Sequence, residues 1–483
     1  MPAGSTTDGR SGWRRGEWLL CGLLVLCIGL GGGGIPAAEL NLVVQVGCLL
    51  ALAIVRREAA AFVRQAPRGL LVLVGLTLAV PALQLVPVPP VFWRHLPGRE
   101  TVVQSLALIG AGDAWMPLSL DPNRTGLALV AVASCLPLLI LAFSLRRRSM
   151  DLVPVTLVAL GVASAMFGAL QLSLGNQALV IQPRGVMRHQ LYATFANHNA
   201  SGLFFVLCLV SLTALRRGWL ADRLRRYRNP QREGPADALV RGEGAIKIVL
   251  GALFALCAVL SQSRSAVLIL VFVLVWLTLR NAAAVTRFAK RAATGKGGLP
   301  GWAAVAALIA AAAGLTALAS SHSVRQSLAR FEKTDDFRFQ IWEDTRSVVS
   351  RYMPVGAGVG AFDDVFQLDE SLESVTPLTA GRAHSDYLEA AAESGLVGPL
   401  LILAWAAWIA LRTWRARARG SRPLALAACG VMACIAMQSA IDYPLRNMAM
   451  LAIAASMVGL LARPGVADRQ AAETSDSLPG DPS

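Results

Sequence analysis

Charge is what this chain has least of. Only 16% of its 483 residues are charged, while 55% are hydrophobic; a soluble domain carries about 25% charged residues. A soluble all-helical protein would also need polar faces at helical spacing, and the apolar runs show almost none. Such runs recur along the whole length, which excludes a water-soluble fold and points to a polytopic membrane protein. Acids are scarcer than bases: 30 Asp and Glu stand against 45 Lys and Arg, a formal net charge of +15. That excess does not point to nucleic acid. The Lys and Arg cluster at alternate ends of apolar runs, and no aromatic-interleaved basic surface accompanies them. Cysteine is missing from every polar segment. Cys21, Cys27, Cys48, Cys135, Cys208, Cys257, Cys429 and Cys434 all lie in apolar runs, so there is no disulfide framework and no CxxC metal pattern.

The runs predict an all-α polytopic membrane protein with about twelve transmembrane helices and one large periplasmic loop that holds short helices. The expected spans lie near 19–35, 40–55, 69–88, 125–145, 152–174, 197–216, 246–261, 265–280, 301–319, 396–411, 423–440 and 447–462. Residues 1–319 and 396–462 then form the bundle, 320–395 the loop, and 463–483 a polar, disordered cytoplasmic tail. The first run, with its basic flank Arg10, Arg14 and Arg15, reads as an uncleaved span rather than a signal peptide cut near Ala37-Ala38. With both termini inside, 31 Lys and Arg fall in cytoplasmic segments and 14 outside, whereas Asp and Glu divide 12 inside and 18 outside. The positive-inside bias sets this orientation. No internal repeat of the kind transporters carry is visible.

Ionisable residues at membrane depth are costly and therefore functional candidates. Arg264 sits between two apolar runs with almost no loop around it, flanked by Ser263 and Ser265. It is either a turn arginine that snorkels to the headgroups or a fixed guanidinium for an anionic group, such as a phosphate. In the large loop, Thr334-Asp335-Asp336 caps a helix that begins near Phe337 and stops before Pro354. Ile341, Trp342, Val348 and Val349 form its apolar face, and Arg338 shares a side with Trp342. Arg338 is a second phosphate ligand or a rim charge. Gly356, Gly358 and Gly360 either bring backbone amides to a phosphate or make a tight turn; no Gly-Lys-Ser/Thr follows, so this is not a P-loop. The acidic stretch from Asp363 to Glu373 is a solvated loop or a divalent-metal site whose spacing enforces nothing. His384 opens a helix that Ser385 or Asp386 caps. A positive helix end disfavours an imidazolium, which leaves a neutral nitrogen available as a base. The alternative is a surface histidine at a helix start.

Three motifs together resemble the O-antigen ligase and O-antigen polymerase superfamily of bacterial membrane glycosyltransferases, over roughly residues 180–450. His384-Ser385, nine residues, Gly395, two residues, Gly398 fits the ligase-type pattern in full, with Ser385 where Asn is common. Ser263-Arg264-Ser265-Ala266 is similar to the family's Ser-Arg turn. Arg338 with Trp342, then Pro354, Gly356 and Gly358, is similar to its Arg-x-x-x-Trp helix and Pro-x-Gly-x-Gly turn. Phe195 to Asn199 and Ser439 to Arg446 add weaker support.

The resemblance implies a GT-C-like enzyme of the bacterial inner membrane that needs no metal, nucleotide or other cofactor. Its implied donor is a glycan on undecaprenyl diphosphate, attacked by an acceptor hydroxyl at the periplasmic face. Arg264 and Arg338 would bind the diphosphate, and His384 would orient or deprotonate the acceptor. A ligase uses lipid A-core as acceptor and a polymerase a second lipid-linked repeat; the histidine motif favours the ligase. Membrane lipids, but no nucleic acid, are expected partners. A membrane anion transporter is the reading from another class. It predicts charges lining several spans, whereas here the ionisable residues gather at one face.

Overall fold

A computed structural model of the chain describes residues 15–34, 37–175, 179–182, 190–216, 218–219, 236–280, 282, 338–371, 381–417 and 422–463. The expected span near 301–319, the Thr334–Asp336 cap, residues 372–373 of the acidic stretch and the C-terminal tail beyond 463 lie outside the described residues.

In chain order the helices are α1 (Arg15–Leu30), α2 (Ala38–Ile54), α3 (Arg56–Gln65), α4 (Arg68–Gln84), α5 (Pro90–Trp93), α6 (Glu100–Leu108), α7 (Pro122–Ala133), α8 (Leu136–Ser144), α9 (Leu152–Ser173), α10 (His198–Leu212), α11 (Ala236–Leu260), α12 (Arg264–Arg280), α13 (Arg338–Tyr352), α14 (Phe362–Phe366), α15 (Asp386–Ser394), α16 (Val397–Arg417), α17 (Arg422–Ser439) and α18 (Met448–Ala462). Two short strands, β1 (Pro87–Val88) and β2 (Met116–Pro117), pair antiparallel with Pro87 opposite Pro117. Each expected span within the described residues overlaps helix, the one near 125–145 as the pair α7 and α8, and the one near 69–88 as α4 followed by β1. Pro122–Ser144, Arg147–Ser173, Glu243–Leu260 and Val397–Ala416 are each long and apolar enough to cross a bilayer. The pair α2–α3, bent by 75°, makes a further span if the two are taken as one. Arg68–Gln84, His198–Leu212, Pro423–Ser439 and Met448–Ala462 are apolar but shorter.

Burial sorts these helices. In α10 every residue from Asn199 to Leu212 is buried, and α18 is almost as enclosed. A helix that is apolar all round and buried all round belongs at the centre of a bundle. The outer helices show the opposite. Leu42, Val46, Leu50 and Ile54 on α2, Leu268, Val271, Phe272 and Val275 on α12, and Leu400 and Leu403 on α16 stand exposed. Apolar surface on this scale is stable against lipid tails, not water. The protein is therefore a helical membrane protein.

The turns gather at two ends. At one end Arg146 grips the buried Glu17 with two hydrogen bonds of 3.0 Å. There Lys247 donates to Leu215 O at 2.6 Å, and Arg412 donates to the carbonyls of Leu461, Ala462 and Arg463, closing the C-terminus of α18. Cations suit these carbonyl-rich helix ends. The other end collects helix starts capped by side chains. Asp121 accepts from Arg124 N, Asn197 from Asn199 N, Ser385 from Leu388 N, and Asn447 from Ala449 N and Met450 N.

Residues 338–371 and 381–396 sit on this second end as a cap with its own small core. Ile341, Val348, Tyr352, Phe362, Val365 and Phe366 pack together there with Ala383 and Ala392. Gln84, at the end of α4, fastens the cap to the bundle: its amide donates to Glu393 O at 3.0 Å and accepts from Val359 N at 2.9 Å. Leu120 N donates to Ala357 O at 2.8 Å, and Thr125 Oγ1 donates to Val359 O at 2.7 Å. Gln84 is buried, so Gln84→Ala strands the Val359 N–H and is expected to cost about 2 kcal/mol. The measurement is thermal unfolding in detergent; an unchanged midpoint would remove Gln84 from this role.

Candidate active site

The site is built where α15, α13 and the turn between α17 and α18 meet. His384 precedes α15 with φ +48°, a backbone state uncommon outside glycine and several-fold enriched for His, Asn and Asp. Ser385, not Asp386, caps the helix: its Oγ accepts from Leu388 N at 3.4 Å. Trp342 Nε1 donates to His384 O at 3.4 Å, so α13 holds the strained residue from one side. Tyr443 holds it from the other, with its ring edge-on to the imidazole at 5.2 Å between centroids. His384 Nδ1 faces Asp442 Oδ1 at 3.6 Å, and neither atom has a hydrogen-bond partner at shorter range. The imidazole is 29% exposed, whereas Asp442 is 5% exposed, so only the histidine is open to a substrate.

Arg338 joins the same turn. Its Nη1 donates to Ile441 O at 2.9 Å. Burial raises the Asp442 carboxyl, but His384, the Arg338 guanidinium and the Tyr443 N–H together hold it below the usual carboxylate range. Asp442 is thus an anion between a histidine and an arginine. Burial pushes the Tyr443 phenol up to about 12, with the Asp442 charge adding to the effect, so it stays protonated at neutral pH.

Arg264 stands on the neighbouring turn, half-buried at the head of α12. Ser263 Oγ accepts from Ala266 N at 3.2 Å and lies 2.9 Å from Ser265 Oγ, which fixes the Ser263–Ser265 turn around the arginine. The loop before α10 links this turn to the histidine. His198 Nδ1 lies 3.1 Å from Ser261 O, and the Asn197 side chain lies against the Tyr443 hydroxyl. The structure therefore brings His384 and Arg338 against one turn, residues 441–443, and sets Arg264 on a turn linked to it through the loop before α10.

The glycine alternative resolves towards a turn. Gly356 N donates to Tyr352 O, Ala357 N to Ala392 O, Gly358 N to Glu393 O and Ala361 N to Gly358 O, while Val359 N is taken by Gln84. These amides are spent inside the protein and do not face a phosphate. The described part of the acidic stretch, residues 363–371, is not the solvated loop expected: it starts in α14 and continues as a turn. Asp363 pairs with Arg124 at 2.9 Å and Asp369 with Arg351 at 2.5 Å. Among the described residues no group of three or more His, Cys, Asp or Glu is arranged around a metal position.

Sequence reasoning missed the buried charges behind the histidine. Asp386, Glu389 and Glu393 occupy one face of α15, all 5% exposed or less. Arg446 reaches Glu393 at 2.5 Å, Glu389 at 3.4 Å and Asp386 at 3.9 Å. Arg382 adds a 2.7 Å contact to Glu389. Burial would raise the Glu389 carboxyl, but the two guanidiniums hold it below its ordinary range. Asp386 goes the other way: burial pushes it up to about 7, against the pull of Arg446 and the bonds from Ser439 and Leu445 N. A carboxyl raised in the folded state keeps a proton that the unfolded chain has lost, so its contribution to stability falls as pH rises from about 4 to 7. Asp386→Asn is expected to remove this part of the slope, up to about 1.4 kcal/mol per pH unit. Unfolding midpoints of the two proteins between pH 4 and pH 8 test this; parallel curves would sink it.

The fold and site thus define a polytopic helical membrane protein with a histidine, an aspartate and arginines assembled at one end. Residues 249–403, which include Arg264, Arg338, His384, Gly395 and Gly398, match the family described as O-antigen ligase. The match supports the O-antigen ligase and polymerase superfamily and, with it, a membrane glycosyltransferase of O-antigen processing. No curated protein matches the chain.

Proposed function

We propose that the protein transfers a glycan from undecaprenyl diphosphate to an acceptor hydroxyl at the periplasmic face of the inner membrane, as an O-antigen ligase with lipid A-core as acceptor. The observation that carries this reading is the half-open His384 facing a buried, anionic Asp442, with Arg338 on the same turn. The Asp442 carboxylate, facing Nδ1 at 3.6 Å, favours the tautomer with its proton on Nδ1 and leaves Nε2 as the base. The acceptor oxygen attacks the anomeric carbon and its proton passes to Nε2. The bond from that carbon to the diphosphate oxygen breaks, and its electron pair leaves with the diphosphate. A single displacement of this kind inverts the anomeric centre. Arg338 and Arg264 bind the diphosphate and stabilise its growing charge. The surplus of bases among the cytoplasmic segments supports placing this end outside, with both termini cytoplasmic.

A polymerase would use the same donor and the same three residues with a second lipid-linked repeat as acceptor. Purified protein is given defined lipid-linked glycan together with either lipid A-core or a second lipid-linked repeat. Glycan on lipid A-core is the expected product. Extension of the repeat alone would replace the ligase by the polymerase, and no transfer to either would overturn both. Arg338→Lys keeps the charge but loses the planar fork, and about a tenfold to hundredfold fall in transfer rate is expected in the same assay.

A further inference from the structure

The turn between α17 and α18 carries groups that meet both His384 and Arg338. Ile441 O takes the Arg338 hydrogen bond, Asp442 faces the imidazole, and Tyr443 packs on its ring. Something must set the height and rotation of this turn against α15, because His384 directly precedes the Ser385 cap of that helix. Several hydrogen bonds contribute: Asp386 N donates to Asp442 O at 3.2 Å, Asp386 Oδ2 accepts from Ser439 Oγ at 2.8 Å and Leu445 N at 3.2 Å, Ser385 Oγ donates to Ser439 O at 3.5 Å, and Tyr387 Oη donates to Ala436 O at 2.6 Å. All of them act at the N-terminal end of α15. Arg446 alone reaches along the helix, from Asp386 past Glu389 to Glu393. Three points spaced along two turns of helix define an axis, which one contact cannot.

We infer that Arg446 is a positioning residue for the transfer reaction: its fork on Glu389 and Glu393 fixes the Asp442–Tyr443 turn at the distance from His384 that the base needs. The inference rests on the proposed transferase reading for its effect on rate, but not for its effect on geometry. Arg446 is only 19% exposed and its guanidinium is enclosed by the carboxylates of Asp386, Glu389 and Glu393, so its effect on His384 runs through the turn. A lysine would supply the charge but as a single point, unable to hold Glu393 and Glu389 together.

The test compares wild type, Arg446→Lys and the double variant Arg446→Gln with Glu393→Gln, which removes one charge of each sign. The second variant answers for the first if the lysine protein does not fold. Two readings are made on folded protein in detergent. One is the rate of glycan transfer, split into kcat and KM for the lipid-linked donor. The other is the imidazole resonance of His384, identified among the five histidines by its loss in His384→Asn. The expected result is a displaced His384 resonance, a kcat lower by about a hundredfold, and an almost unchanged KM. A role confined to stability would lower the unfolding temperature and leave both kcat and the resonance of the folded fraction untouched, and that result would overturn the inference. If the resonance moves while wild type transfers no glycan, the transferase reading fails and the positional role of Arg446 stands.

Discussion

His384→Asn is expected to lower glycan transfer by about 10²- to 10⁴-fold while the protein inserts and unfolds as wild type does. Asparagine is the informative replacement because His384 sits at φ +48°. Asn tolerates this left-handed state, whereas alanine would add backbone strain to the loss of the ring. Asn cannot take a proton from a hydroxyl at neutral pH, so the change isolates the base. Asp442→Asn should follow with a loss on the order of 10²- to 10⁴-fold, since a neutral amide neither fixes the imidazole tautomer nor steadies the imidazolium. The two losses should not add, because Asp442 acts through His384 at 3.6 Å. Purified protein with lipid-linked glycan and its acceptor gives the rates. Full activity of His384→Asn in properly inserted protein would remove the base from the mechanism, and additive losses would separate Asp442 from it.

Much of this architecture was legible in the chain because apolar length is a one-dimensional signal. Lipid contact demands a run of apolar residues, and the expected spans within the described residues each met a helix. Helix ends were read less well. The span expected near 246–261 belongs to α11, which begins at Ala236. Apolarity marks the lipid-facing part of a helix, while its hydrogen-bond ladder continues through Arg241 and Glu243. The site was legible in part. Arg338 and Trp342 do point the same way, as a four-residue separation requires, and both reach the His384 region. The role of Asp442 was not legible, since a carboxylate in a turn has no local pattern that ties it to a histidine so far away in the chain. The acids of α15 left a trace: Asp386, Glu389 and Glu393 repeat at the spacing of one helical face. Such a face normally meets water. What turned it inward was Arg446, and only the packing of α15 against the α17–α18 turn brings the two together.

Gly395→Ala is expected to cost more stability than any other single-methyl addition in the cap. A Cβ at Gly395 would lie 1.9 Å from Pro354 O and 2.5 Å from Pro354 C, and the residue has φ +55°. The obstacle is backbone, so no side chain can swing aside. The left-handed conformation adds about 1–2 kcal/mol for any residue with a Cβ, and the clash should carry the total to the 4–5 kcal/mol that marks exceptional substitutions. Gly356 presses on the same junction from the other side: its Cβ would meet Glu393 O and Gly395 N at 2.5 Å. Gly75 in α4 is the control, with nothing within 4 Å of an added Cβ; there alanine should be neutral or better. Unfolding in detergent and protease sensitivity of residues 354–396 would show the difference. Equal stability of the two variants would mean that the 354–360 turn does not seat on α15 as described. If Gly395→Ala instead loosens the cap and transfer fails with it, the spacing from His384 to Gly395 acquires a physical meaning. The histidine stands just before the Ser385 cap of α15 and the glycine caps its other end. The turn from Pro354 to Gly360 closes on that end, and Gln84 clamps the turn to the bundle. The motif then specifies where the helix that carries the base is locked, and the chemistry depends on that lock from the far end of the helix.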